Sequence, residues 1–214
     1  MKTNDLVTLL SSNHEPVDHR LVARTLYVAL GAGSVVSLGI MFIGLGVRSD
    51  LTTVQALIFL AVKLLFAVGI VSLASVYLIR LARPGGEHKN PSFLIAIPFL
   101  VITLLAAISL WLAPSSHWDN MIMGGGWLEC LVSIPIIAVI PFAIAIWAVR
   151  KAAPTDLART GAVAGLAAGG VSAMAYALHC ADDSFPFVAV WYGGMIVLCT
   201  VAGAILGPRL LRWS

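Results

Sequence analysis

Cys130, Cys180 and Cys199 are the softest nucleophiles of the chain, and two of them stand beside other groups with chemical potential. Cys180 follows His179 and precedes Asp182 and Asp183, while Cys130 follows Glu129. Two thiols at one level can form a disulfide, or can join an imidazole and carboxylates as ligands for a soft metal ion. The metal reading takes Cys130, Cys180 and His179 as ligands of a transient heavy-metal site, since the spacing is too long for a zinc signature. No resident cofactor is expected. Cys199 sits mid-span and reads as a small apolar filler.

Lys63 is the one charge well inside an apolar stretch, roughly 12 Å deep at about 1.5 Å per residue. A central Lys costs about 2.5–3.5 kcal/mol on insertion scales, so it should face the interior beside a partner. By depth, Glu129 is the nearest candidate counter-ion. The pair reads first as a structural bridge fixing helix register. The alternative is a small transporter or channel that uses Lys63 and Glu129. His-Glu-x-x-His, Gly-x-Ser-x-Gly, a phosphate-binding Gly-Lys-Ser/Thr loop and Cys-x-x-Cys are all missing from the sequence, which argues against an enzyme.

The elements that must position these groups are membrane helices. Of 214 residues, 60% are hydrophobic and only 11% charged, with a mean hydropathy of +0.98. Soluble domains run nearer 45–50% apolar and about 25% charged. A net charge of +3 gives no argument for direct nucleic-acid binding. Six stretches are long and apolar enough to span a bilayer: 21–47, 55–79, 93–113, 127–149, 161–178 and 187–206. Short Pro- and Gly-marked loops join them, so the expected fold is an all-α, single six-helix transmembrane bundle over residues 21–214. Polar residues, including Asp5, Glu15 and Asp18, precede the first stretch, so it reads as a retained anchor and not a cleaved signal peptide. Pro98, Pro135 and Pro141 are expected to kink their spans.

Basic residues sort by side. Lys2, Arg20, Arg24, Arg80, Arg83, Lys89, Arg150, Lys151, Arg159, Arg209 and Arg212 fall on one side, and Arg48 alone on the other. The positive-inside rule then places both termini in the cytoplasm. The opposite side is acidic and rich in tryptophan, as an interfacial belt would be. Small residues recur every fourth position at Gly161, Gly165, Gly169, Ala173 and Ala177, with a second set at Gly203 and Gly207. Such stripes mark helix–helix contacts, within the chain or across a homodimer.

Residues 1–20 are too polar to span. Leu6, Leu9 and Leu10 have the spacing of a short apolar helical face, followed by a linker broken at Pro16. A helix this short is marginal alone, so the segment is expected to fold on a partner or on the membrane.

The opening Met1-Lys-Thr-Asn-Asp-Leu-Val-Thr-Leu-Leu10 and Pro16-Val-Asp-His-Arg20 resemble the start of bacterial six-span anti-sigma factors of the NrsF type. The resemblance continues through Trp127-Leu-Glu-Cys-Leu-Val-Ser-Ile-Pro135, Ala175-Tyr-Ala-Leu-His-Cys180 and Phe187-Val-Ala-Val-Trp-Tyr192. It ends at Leu206-Gly-Pro-Arg-Leu-Leu-Arg-Trp213, and so covers essentially the whole chain. It implies a protein of the bacterial inner membrane that holds an extracytoplasmic-function sigma factor away from RNA polymerase. Metal or oxidative stress would then release that factor. It also implies that Cys130 and Cys180 are the sensing thiols and that residues 1–20 bind sigma. Lys2, Asp5, Leu6, Leu9, Leu10, Pro16, Val17 and Arg20 are the expected contacts.

Overall fold

The computed structural model describes residues 19–82, 92–152 and 154–212. Residues 1–18, with Lys2, Asp5, Leu6, Leu9, Leu10, Pro16 and Val17 of the expected sigma-binding segment, lie outside the described residues. So does the side chain of Arg20. Among the described residues every regular element is a helix and there is no strand.

The helices are α1 (His19–Gly44), α2 (Val54–Leu81), α3 (Ala96–Leu112), a short α4 (Trp118–Met123), α5 (Trp127–Arg150), α6 (Leu157–Ala177) and α7 (Phe185–Leu210). Six of the described spans are long and apolar enough to cross a membrane, matching the six stretches read from the sequence. Local signals set several ends. Thr53 caps α2 by accepting the Ala56 amide at 3.3 Å, and Asp156 caps α6 by accepting the Arg159 amide at 3.0 Å. Pro98 falls in the first turn of α3, where its missing N–H has no intrahelical partner to lose. The expected mid-span kink at Pro98 therefore has no basis, and α5 is one helix through Pro135 and Pro141.

The least apolar span stands at the centre. In α6, 89% of the most apolar window is buried, against 11% in the more apolar α3. Lipid solvates the outer helices, so apolar side chains point outward and small residues collect where backbones meet. A Cβ added to Gly161 would strike the Gly203 carbonyl oxygen, and one on Gly165 would strike the Cys199 carbonyl oxygen. The reciprocal positions are equally closed: Gly203 faces the Gly161 carbonyl and Gly207 the Leu157 carbonyl. The stripe thus packs α6 on α7 within one chain. Its use as a homodimer face is corrected by this contact, because each small-residue face is already filled by the other.

On its other sides α6 meets α2, α5 and α1. Gly170 lies against Val71 of α2, and Ser172 donates a 2.5 Å hydrogen bond to the Ile134 carbonyl of α5. Gly33 of α1 packs on Pro141 of α5. The α3 helix is peripheral and touches α2 through an edge-on pair of Phe66 and Phe99, 5.5 Å between centroids.

These contacts predict opposite outcomes for two similar substitutions. Gly165→Ala forces backbone apart and should destabilise the detergent-solubilised protein by about 1–3 kcal/mol. Gly39→Ala, where nothing lies within 4 Å, should leave the melting temperature unchanged or raise it. Thermal unfolding of both variants checks the pair.

Candidate functional site

Three loops meet at the end of the bundle opposite the start of α1: 45–53, 113–126 and 178–184. They converge because an even number of crossings returns every second loop to the same end. Gly46, with φ of 77°, turns the chain after α1, and its carbonyl accepts His179 Nδ1 at 3.0 Å. The Arg48 amide reaches back to the Leu178 carbonyl at 3.1 Å. The 178–184 loop is thereby stitched to the α1–α2 loop.

Asp183 is the pivot of the charge arrangement. Arg48 grips it with Nη2 to Oδ2 at 2.7 Å and Nη1 to Oδ1 at 2.9 Å. Lys63 Nζ reaches Asp183 Oδ1 at 3.2 Å and the Cys180 carbonyl at 2.9 Å. Arg48 Nη1 donates to that same carbonyl at 3.0 Å. Arg48 also holds Asp50, through Nε at 2.5 Å and Nη2 at 2.6 Å. The Lys63 side chain is wholly buried and that of Arg48 nearly so, so each needs these partners. Hydrogen bonds to Asp50 and Asp183 push the Arg48 guanidinium further toward its charged form. Arg48 in turn holds the Asp50 carboxyl below the usual carboxylate range. The sign follows: this contact is fully present above the range of a free carboxyl and fades only as pH falls through the depressed value.

The expected Lys63–Glu129 pair is corrected. Similar depth along two helices does not place them side by side, and Lys63 turns toward the 178–184 loop instead. Glu129, two-thirds exposed, faces His179 Nε2 at 3.6 Å. The counter-ion that sequence reading missed is Asp183. The signal for it was Arg48, the single basic residue on the acidic side, which needs an acid near it.

Asp182 does a different task. Its two oxygens accept the amides of Gly125 and Gly126 at 2.9 and 2.8 Å, tying the loop before α5 to the end of α6. Gly124 has φ of 59° and no room for a Cβ beside Asp182 and Phe187. Ser184 donates to the Met121 carbonyl at 2.6 Å, and Trp191 Nε1 to the Ile122 carbonyl at 2.9 Å. Residues Val188–Tyr192 form a π turn inside α7, which brings Trp191 and Tyr192 inward together.

The cysteines sit in this knot. Cys130, in the first turn of α5, is fully buried, and Cys180 is 4% exposed. Both belong to the core cluster that includes Tyr176, Phe187 and Tyr192, and the residues flanking them meet: Glu129 faces His179, and the Gly126 amide donates to Asp182. Both are free thiols in this structure. Cys180, His179, Glu129 and Asp182 line an open cavity of about 690 Å³ at this end of the bundle. Among the described residues no group of three or more His, Cys, Asp and Glu side chains is placed to hold a metal ion. The expected three-ligand set of Cys130, Cys180 and His179 is therefore not assembled here, because the His179 ring is turned to Gly46 and Glu129. Cys199 packs at the α6–α7 contact against Gly165 and Gly169, apart from the other two.

The ionic arrangement predicts an unequal pair of mutants. Asp183→Ala leaves buried Lys63 without its carboxylate and Arg48 with Asp50 alone, and should destabilise the protein by about 3–5 kcal/mol. Glu129→Gln touches only an exposed, long contact and should cost about 1 kcal/mol or less. Equal losses in chemical or thermal unfolding would contradict the assignment of Asp183 as the partner of Lys63.

A family profile described as negative regulator of sigma F matches residues 10–213. The probable anti-sigma-F factor NrsF of Azospira oryzae is 31% identical over 213 residues, with both chains covered completely. The anti-sigma-F factor NrsF of Caulobacter vibrioides is 30% identical over 217 residues, again with complete coverage of both. No solved structure matches the chain. With a match along nearly its whole length and two full-length relatives, the chain belongs to the NrsF family of anti-sigma factors, negative regulators of a sigma factor.

Proposed function

We propose that this anti-sigma factor is an integral protein of the bacterial inner membrane that sequesters an extracytoplasmic-function sigma factor and releases it on a thiol-sensed signal. The N-terminal segment, residues 1–20, binds sigma at the cytoplasmic face. Cys130 and Cys180 receive the signal, metal or oxidant, at the periplasmic face. The observation that carries the reading is that Cys130, in the first turn of α5, and Cys180, just past the end of α6, are both buried at the end of the bundle opposite the start of α1. The asymmetry of basic residues supports the orientation: Arg48 is the single exception, and its charge is satisfied by two carboxylates. A change of about 1.4 kcal/mol alters sigma affinity tenfold, so a small shift in helix packing is enough. Such a shift acts only through unequal sigma binding by the two arrangements of the bundle.

The transporter reading loses its main support, since Lys63 is held by Asp183 and the Cys180 carbonyl and Glu129 lies elsewhere.

Deleting residues 2–15 should leave a protein that inserts in the membrane and no longer represses sigma-dependent transcription. Retained repression would refute the binding role. Replacing Cys130 and Cys180 by serine should preserve repression and abolish its relief by metal or oxidant, read with a sigma-dependent reporter. A normal response would refute the sensing role.

A further inference from the structure

The two thiols are not equivalent. Cys180 forms part of the wall of the open cavity at the loop end of the bundle, whereas Cys130 has no exposed surface and does not line it. The backbone of Cys180 is fixed in place, its carbonyl held by Lys63 Nζ at 2.9 Å and Arg48 Nη1 at 3.0 Å. The Tyr192 hydroxyl is buried without a hydrogen-bond partner among the described residues, in the core cluster that also holds both thiols. An unpaired buried hydroxyl is costly, so this donor is available to a group formed within the cluster.

We propose that Cys180 is the thiol that meets the signal and Cys130 the one that resolves it, with a small hydroperoxide as the reactant class. This rests on the thiol-sensing reading above. The hydroperoxide enters by the cavity, and the Cys180 sulfur attacks its terminal oxygen. The S–O bond forms, the O–O bond breaks, and the departing oxygen takes the thiol proton and leaves as water or an alcohol. Cys180 is then a sulfenic acid. The Cys130 sulfur attacks the Cys180 sulfur, an S–S bond forms, and the hydroxyl leaves with the Cys130 proton as water. The two thiols lose two electrons and the peroxide gains them. Tyr192 donates a hydrogen bond to the oxygen-bearing group and gives up no proton. Closure pulls Cys130, at the start of α5, onto the loop that Lys63 and Arg48 hold.

Brief treatment of the full-length, detergent-solubilised protein with a charged maleimide, followed by peptide mass spectrometry, gives the order of access. Cys180 should label about tenfold or more faster than Cys130, since reactivity follows exposure. In Cys130→Ser, hydrogen peroxide with dimedone should trap a sulfenic acid at Cys180. In Cys180→Ser, Cys130 should stay a thiol over the same interval. Faster labelling of Cys130 in the unaltered protein, or a dimedone adduct on Cys130 in Cys180→Ser, overturns the order. The wild-type labelling needs no variant and so decides the matter even where a serine substitution fails to fold. The readout is chemical: an ordered reaction without release of sigma refutes the sensing function alone, and release of sigma with the reverse order refutes this inference alone.

Discussion

The contact of α6 with α7, backbone against backbone, is the constraint on which the other placements rest. Gly161, Gly165, Gly203 and Gly207 let main-chain atoms of the two helices meet directly, with no side chain between them. In lipid there is no hydrophobic drive to bring helices together, so dispersion across such close surfaces carries much of the association. Its consequence is positional. With α7 lying directly on it, α6 has room on its remaining faces for α2, α5 and α1, and it becomes the axis of the bundle. The end of that axis is the 178–184 loop, which carries His179, Cys180, Asp182 and Asp183 and is touched by Arg48, Lys63 and Glu129.

A loop at the end of a central helix would leave polar backbone facing apolar neighbours unless something satisfied it. Here two cations do so. Lys63 and Arg48 share the Cys180 carbonyl and the Asp183 carboxylate, so one set of hydrogen bonds satisfies a buried ammonium, a buried guanidinium and an end-of-helix carbonyl. A buried ion cluster of this kind is a poor source of net stability compared with apolar packing. It is, however, specific: shifting α2 by one residue would carry Lys63 away from both acceptors. Asp182 acts in parallel on the other flank and fixes the start of α5 by two amides. The adjacent carboxylates Asp182 and Asp183 thus hold opposite sides of the same loop, one through the α1–α2 side and one through the α4–α5 side.

Much of this was legible in the sequence, for identifiable reasons. Hydropathy alone marked the six spans, since each must exceed the bilayer thickness, and the small-residue stripe marked α6 as a packing helix. That Cys130 and Cys180 lie at the same end of the bundle followed from topology, because odd-numbered connections share one end. The partner of Lys63 did not follow. Depth along a helix can be counted in residues, but azimuth around the bundle depends on which helices are neighbours, and that information is tertiary. The short α4 and the π turn in α7 were also hidden: both are set by Gly124–Gly126 meeting Asp182 and by Trp191 meeting Ile122, contacts between residues far apart in sequence.

The same geometry bears on how a local thiol event would travel. Cys130 lies at the start of α5 and Cys180 just past the end of α6, two helices that pack on each other and are joined by a serine hydrogen bond one turn in from Cys130. Interiors this tightly packed do not deform continuously; they move as units between discrete arrangements. The glycine contact leaves no slack between α6 and α7, so on the sensing reading these two helices respond together. The α1 helix, which leads back to the N-terminal segment, packs on both α5 and α6. A strain applied between α5 and α6 at one end of the bundle therefore reaches α1 through direct contacts at each step. A thiol pair placed elsewhere, at the periphery beside α3 for instance, would strain a helix that has little contact with α1 and would have no such route.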